Sequence, residues 1–238
     1  MKHKPLARQL TAQFFRGNVP MFALAVFAAL TGGTLEQARA AVARARGRGL
    51  ALPVVWNTSG YETVAAVQAN AGTVDVYLAD FKYADPLLAV RYSKAPDYPD
   101  ATLAALGEMV RQTGAPEFDE VDGDPRLVRG TVVRHLMLPG ALEDSKRVVR
   151  LVHERFGDAV LLSLMNQYTP VLADAAAAGD ERAAAALHRC PELARRVPDE
   201  DYERLLDYAD ALGVEDYFWQ EGGAAEESFI PPFDLTGV

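Results

Sequence analysis

Short apolar runs alternate with amphipathic segments along this chain, and four of the runs end in polar residues and a turn. Uninterrupted apolar runs of this length are typical of strands covered on both faces. Segments with apolar residues three and four positions apart are typical of helices. The pattern predicts strands over 52–57, 74–78, 127–138 and 159–164, and helices over 34–46, 62–70, 87–92, 101–113, 142–156, 174–188 and 198–212.

Alternating strands and helices predict an α/β fold with a parallel sheet. Four strands are clear in the sequence, and one or two more would still fall short of an eight-stranded barrel. We therefore expect a partial (β/α) barrel or an open sheet. The acidic segment 115–127 is expected to be a loop, and residues 216–238 form an aromatic, proline-rich tail.

Residues 34–238 are expected to form one domain with a C-terminal helical and tail extension, whereas residues 1–33 are atypical. Basic residues precede an apolar run over 19–30, a loose copy of a secretory signal. Arg16 lies close to that run, and the cleavage-like Ala38-Arg39-Ala40 falls inside a predicted helix. The run is too short to span a bilayer. We expect a cytoplasmic protein with no membrane partner.

Charge and cysteine content narrow the possible functions. The formal net charge is −9, which argues against binding along a nucleic-acid backbone. The only cysteine is Cys190. An intramolecular disulfide is therefore excluded, as is a zinc or iron–sulfur site made by this chain's thiolates alone.

Polar residues cluster where the predicted strands end. Asp80 and Lys82 share a strand face with Val76 and Leu78, because residues two apart in a strand point the same way. The carboxyl end of a parallel strand is where such folds place ligands. A carboxylate beside an ammonium can hold a zwitterionic or polyhydroxyl ligand. The alternative is an ion pair that only caps the strand.

Two other strand ends carry hydrogen-bonding side chains. Asn57, Thr58 and Ser59 follow the first strand, and Asn166 with Gln167 follows the fourth. Each group is a candidate for ligand contact. The alternative for each is ordinary turn chemistry.

Arg134 lies within an apolar run and shares a face with Val132 and Leu136. A buried arginine is rare unless it is paired or binds an anion. We expect either a ligand contact or a salt bridge to Asp80. His135 should point to the opposite face as a packed core histidine.

Together these strings resemble the radical S-adenosylmethionine proteins related to the pyruvate formate-lyase activating enzyme. The resemblance covers the chain from about residue 34 to its end. It is carried by Asn57-Thr-Ser-Gly-Tyr61, Asp80-Phe-Lys-Tyr83, Arg134-His-Leu136 with Pro139-Gly140, Met165-Asn-Gln-Tyr168, Asp201-Tyr202 and Phe218-Trp-Gln220.

The resemblance implies a partial barrel of parallel strands with S-adenosylmethionine across its mouth. In that family a [4Fe–4S] cluster on a Cys-x-x-x-Cys-x-x-Cys loop binds the cofactor and cleaves it reductively. The resulting radical abstracts hydrogen, in activating enzymes from a partner protein. The positions that the resemblance assigns to cofactor binding are Asn57, Thr58, Ser59, Asp80, Lys82, Arg134 and Asn166.

The cluster motif is missing from this chain. Residues 1–33 contain no cysteine, so the resemblance predicts either a member shortened at its N-terminus or one that lost the cluster. Reductive cleavage by this chain alone is not expected. Two other possibilities stay open: a cluster-free barrel that binds a nucleoside or amino acid or acts as an interaction module, and a lyase with Lys82 as Schiff-base nucleophile.

Overall fold

The fold is known from a computed structural model, which describes residues 35–121 and 124–219. The predictions for residues 1–33 and for the tail beyond Trp219 lie outside the described residues. The strands are β1 (Val55–Thr58), β2 (Val76–Asp80), β3 (Glu117–Val121), β4 (Asp124–Leu136), β5 (Leu161–Met165) and β6 (Tyr217–Phe218). The helices are α1 (Leu35–Arg46), α2 (Val64–Gln68), α3 (Pro86–Ser93), α4 (Tyr98–Thr113), α5 (Leu142–Phe156), α6 (Val171–Ala177), α7 (Glu181–Arg189) and α8 (Asp199–Leu212), with 3-10 turns at Gly157–Ala159 and Pro191–Ala194.

Five of these strands form a parallel array in the order β1-β2-β4-β5-β6. Within this array, each strand pairs with the array strand that precedes it in the sequence, so the spatial order of the strands follows the chain order. Helices lie between the parallel strands in the sequence, as the alternating pattern predicts. The α/β class and the mostly parallel sheet are confirmed, and closure into a partial barrel stays a prediction.

The two faces of the sheet bury different amounts of apolar surface. On the helix-facing side, Tyr77, Val133 and Leu164 belong to a large core cluster that includes residues of α4, α5 and α8. The other side of the sheet, here called the second face, carries a smaller buried cluster, which consists of Val76, Leu78, Val132, Leu161 and Phe218. Because the buried apolar cluster on the second face is the smaller one, polar residues can be placed on this face more easily than on the helix-facing side.

Two sequence-based predictions of secondary structure were wrong. The acidic segment expected to be a loop instead forms β3, which pairs antiparallel with the first half of β4. The single helix expected over 174–188 is two helices, α6 and α7. The chain breaks at Gly179, whose φ of +94° lies in the left-handed region. Asp180 then caps α7 by accepting from the backbone N–H groups of Arg182 and Ala183.

None of the described helices is both long and apolar enough to cross a membrane.

The packing of the helix-facing side can be tested at Leu164, whose side chain is fully buried. Truncation with Leu164→Ala should lower the free energy of unfolding by about 2–5 kcal/mol, because it removes apolar contacts and leaves a cavity. Leu87→Ala is the matched control, since Leu87 is 77% exposed and its loss should cost no more than about 0.5 kcal/mol. Urea unfolding measures both, and equal values for the two variants would contradict this assignment of the core.

Candidate functional site

An arginine, an aspartate and an asparagine meet on the second face at the carboxyl ends of β1, β2 and β4. Arg134 donates from Nε and Nη2 to Asp80 Oδ1, at 2.9 and 2.6 Å. Nη2 also donates to Asn57 Oδ1 at 2.6 Å. Asp80 and Arg134 are direct partners in the β2–β4 register. Of the two alternatives that the sequence left open for Arg134, the salt bridge to Asp80 is present, and contact with a ligand stays a prediction.

Lys82 adds a second cation to this group. Its Nζ lies 3.8 Å from Asp80 Oδ2, the carboxylate oxygen that Arg134 does not contact. The Lys82 side chain is 40% exposed, against 22% for Asp80 and 23% for Arg134. Asn57, Asp80, Lys82 and Arg134, here called the polar layer, thus contain two cations and one carboxylate. Its more exposed cation is only loosely held.

An apolar layer lies directly beneath the polar one. Leu78 precedes Asp80 by two positions on β2, and Val132 precedes Arg134 by two positions on β4. Leu78, Val132 and Leu161 are in register and belong to the buried cluster of the second face. The site therefore combines charge at the rim with apolar surface further down, a common composition of small-molecule sites.

The Tyr98 hydroxyl ties the loops after β1 and β2 together. It accepts from the backbone N–H of Lys82 at 3.0 Å, and it lies 3.0 and 3.1 Å from the carbonyl oxygens of Ser59 and Asp80. Burial of the ring raises the pKa of Tyr98 well above its ordinary value. The hydroxyl therefore stays protonated and can donate its single hydrogen to one of those two carbonyl oxygens at a time. Sequence reasoning missed this residue, because nothing in the helix-start pattern of Tyr98-Pro99 shows what its hydroxyl reaches.

Gly60 allows the same two loops to approach closely. Its φ is +77°, and a Cβ at this position would lie 2.0 Å from the Asp80 carbonyl oxygen. No other residue fits without moving the backbone that carries Asp80. The predicted turn after β1 therefore requires glycine at position 60, because a side chain there would collide with the backbone of Asp80.

Three predicted site residues do not join the polar layer. Thr58 is buried and donates to Glu62 Oε1 at 2.7 Å, while its hydroxyl accepts from the Gly60 N–H at 3.2 Å. Ser59 contributes its carbonyl oxygen to Tyr98. Asn166 is buried, and its amide nitrogen lies 3.5 Å from Asp199 Oδ1 at the start of α8. Of the predicted site residues, the structure thus brings Asn57, Asp80, Lys82 and Arg134 together and leaves these three outside that group.

His135 supports the site from the helix-facing side. It is fully buried, and its Nδ1 lies 2.8 Å from the carbonyl oxygen of Phe81, the residue between Asp80 and Lys82. Burial lowers the pKa of His135 from 6.5 to about 4. The imidazole is therefore neutral at pH 7, with its proton on Nδ1 where it can donate to that carbonyl. The prediction of a packed core histidine is confirmed.

Comparisons with known proteins give one distant relative and no family. No family model matches the chain, and no solved structure matches it significantly. An uncharacterized protein of Methanocaldococcus jannaschii is 26% identical over 167 residues, which are 69% of this chain and 40% of that protein. The chain thus spans less than half the length of this relative. The resemblance to radical S-adenosylmethionine proteins stays a prediction.

The buried His135 predicts a pH dependence of stability. Its pKa is depressed in the folded state, so the unfolded chain takes up a proton first as the pH falls. The histidine's contribution is complete above pH 6.5 and is lost progressively between pH 6.5 and about 4. A pKa lowered from 6.5 to about 4 corresponds to a loss of about 3 kcal/mol in unfolding free energy at the acid end of this range.

This contribution is measured as the difference in unfolding free energy between the wild type and His135→Gln across that pH range. Titrating carboxylates affect both proteins and cancel in the difference. The wild type should lose more stability than the variant as the pH falls. Parallel curves would show that His135 is not buried in a neutral form.

The hydrogen bonds of Tyr98 predict that removing its hydroxyl lowers the free energy of unfolding more than removing the hydroxyl of another buried tyrosine. Tyr98→Phe keeps the ring but leaves the Lys82 N–H without its acceptor, which should cost about 1–3 kcal/mol of unfolding free energy. The control is Tyr83→Phe, since Tyr83 is also buried and, among the described residues, its hydroxyl forms a hydrogen bond only with the Ser93 hydroxyl, at 3.1 Å. Faster amide hydrogen exchange at Lys82 should occur in the first variant alone. Equal exchange in both variants would contradict the proposed link between the loops.

Proposed function

We propose that the polar layer binds the amino-acid end of a small zwitterionic ligand, with S-adenosylmethionine as the ligand that the sequence resemblance implies. The observation that carries this proposal is the loosely held Lys82 beside an aspartate already bound by Arg134. Two cations around one carboxylate leave a net positive site at the carboxyl edge of a parallel sheet. That edge is where ligands bind in folds of this class.

Each residue of the polar layer has a distinct role in this proposal. The Lys82 ammonium binds the ligand carboxylate, because its 3.8 Å separation from Asp80 is too long for a hydrogen bond. Asp80 Oδ2 accepts from the ligand ammonium. Arg134 holds Asp80 in place through Oδ1 and is itself oriented by Asn57. The less polar part of the ligand would lie toward Leu78.

The residues of this chain do not fit a [4Fe–4S] cluster. Such clusters are held by several cysteine thiolates, and Cys190 is the only cysteine in the sequence. It is buried between α7 and the following 3-10 turn, where its backbone N–H bonds to Ala186. No reaction step is therefore assigned to a cluster, and the proposed function is ligand binding.

The proposal predicts that binding depends on one particular lysine. Titration calorimetry of the wild type should detect S-adenosylmethionine and, more weakly, L-methionine. Lys82→Met keeps an aliphatic side chain but removes the charge, and it should weaken binding about tenfold or more, since hydrogen bonds to charged groups contribute about 1.5–3 kcal/mol. Lys94→Met is the control, because Lys94 is an exposed lysine that lies outside the polar layer.

Binding of a ligand carboxylate by Lys82 and Schiff-base formation by Lys82 can be distinguished with the same protein samples. Methyl esterification of methionine should abolish binding if Lys82 contacts the carboxylate. A lyase with a Lys82 Schiff base would instead be trapped covalently by borohydride with a carbonyl substrate, and mass spectrometry would detect the adduct. A folded wild type that binds neither S-adenosylmethionine nor methionine, or equal binding by both lysine variants, would overturn the proposal.

A further inference from the structure

Ser163 carries a buried hydroxyl on the second face that no described residue binds. Its neighbours along β5, Leu162 and Leu164, belong to the helix-facing core, whereas Leu161 belongs to the buried cluster of the second face. Alternation along a strand therefore places Ser163 on the second face with Leu161. The residue is 6% exposed, and its hydroxyl forms no hydrogen bond within the described part of the chain. Most buried polar side-chain atoms have a partner, so this hydroxyl requires an explanation.

Ser163 is the neighbour of Arg134 on the side away from Asp80. It is the direct partner of Arg134 in the β4–β5 register, as Asp80 is in the β2–β4 register. Because β4 lies between β2 and β5 in the sheet, Asp80 and Ser163 flank Arg134 from opposite sides. Adjacent strands are about 4.8 Å apart, so the hydroxyl lies one strand spacing from the arginine. This row of the second face thus consists of a carboxylate, a guanidinium and a hydroxyl.

One nitrogen of Arg134 is not used in the polar layer. Nε and Nη2 both donate to Asp80 Oδ1, and Nη2 also donates to Asn57. Nη1 donates to no residue in the described ranges. In the planar guanidinium group, Nε and Nη2 form one flank and Nη1 lies on the other. Nη1 is therefore on the flank turned away from Asp80, and the Arg134 side chain keeps 23% exposure.

The polar layer also carries one positive charge that a zwitterion does not neutralise. Its two cations are Lys82 and Arg134, and its one carboxylate is Asp80. The ammonium and carboxylate groups of an amino acid add no net charge to this sum. One further carboxylate on the ligand would bring the total to zero. Charge balance therefore favours a ligand with a second acidic group.

We propose that Arg134 Nη1 and Ser163 Oγ, here called the oxyanion subsite, bind a side-chain carboxylate of the ligand. A carboxylate accepts from both donors, and its hydrogen bonds to a guanidinium are among the strong ones. The ligand class is thus an amino acid with an acidic side chain. The inference rests on the proposed function for the amino-acid end, which Lys82 and Asp80 bind. S-adenosylmethionine has no second carboxylate, so it would bind without filling the oxyanion subsite.

The experiment is titration calorimetry of the full chain with L-glutamate and L-glutamine, which have nearly the same shape and differ in side-chain charge. L-2-aminoadipate, which is one methylene longer than glutamate, tests a longer reach at the same charge. All titrations are run at one ionic strength. We expect the wild type to bind at least one of the two acids about tenfold more tightly than glutamine, because charge-assisted hydrogen bonds are stronger than neutral ones.

The variant Ser163→Ala separates the oxyanion subsite from the amino-acid end. Loss of the hydroxyl should weaken binding of the preferred acid about fivefold and leave binding of L-methionine unchanged. Because this hydroxyl has no partner among the described residues, its removal should not lower the temperature of thermal unfolding. Ser145→Ala is the matched control, since the buried Ser145 hydroxyl on α5 already donates to the Ala141 carbonyl at 3.0 Å. This control should leave every affinity unchanged.

Failure of the oxyanion subsite and failure of the proposed function give different results. If L-methionine binds but neither acid binds more tightly than glutamine, the subsite is wrong and the amino-acid end stands. The same conclusion follows if Ser163→Ala weakens the acid no more than Ser145→Ala does, because a water molecule then satisfies the hydroxyl. It also follows if Ser163→Ala weakens methionine as much as the acid. If neither an amino acid nor S-adenosylmethionine binds, the proposed function is wrong, and the subsite is wrong with it.

Discussion

The ion pair between Asp80 and Arg134 is the constraint on which the site depends. Arg134 lies on the third strand of the five-stranded parallel array, and its nearest neighbours on the same face of β4, Val132 and Leu136, are apolar. Its guanidinium is tolerated there only because the neighbouring strand presents a carboxylate directly opposite. A one-residue slip between β2 and β4 would turn the two side chains to opposite faces. The pair therefore works only in the register that also aligns Leu78 with Val132.

The rest of the rim is arranged around the backbone that carries this aspartate. Gly60 packs against the Asp80 carbonyl, Tyr98 bonds to the same loop, and His135 reaches the next carbonyl, that of Phe81. Three elements thus fix one short segment from three directions. A segment held in this way loses little further entropy when it binds a ligand, which is the advantage of preorganised sites. Lys82, at the end of the segment, keeps the exposure that ligand contact requires.

The sequence predicts the orientation of side chains along a strand, which depends on periodicity, but not the contacts between segments that are distant in the sequence. Strand alternation was enough to place Asp80 and Lys82 on one face and to turn His135 inward, and it left a salt bridge to Asp80 as one of two alternatives for Arg134. Nothing local shows that the Tyr98 hydroxyl spans two loops. The β3 strand was missed because its acidic composition is typical of loops, whereas pairing with β4 sets its conformation. Thr58 and Asn166 were predicted together with the residues of the polar layer but lie outside it, because the sequence does not show which polar residues after a strand meet one another in space.

The charge of the polar layer follows from how the strands are joined. At the carboxyl edge the parallel strands β2 and β4 bring Asp80 beside Arg134, and the added Lys82 gives the polar layer a net positive charge in a chain of net charge −9. The feature of the polar layer that favours a binding site over a capped strand end is the loosely held ammonium group of Lys82. Arg134 donates from two nitrogens to Asp80. The Lys82 ammonium lies 3.8 Å from Asp80 Oδ2, beyond hydrogen-bond distance, and can therefore bind a carboxylate from outside the chain.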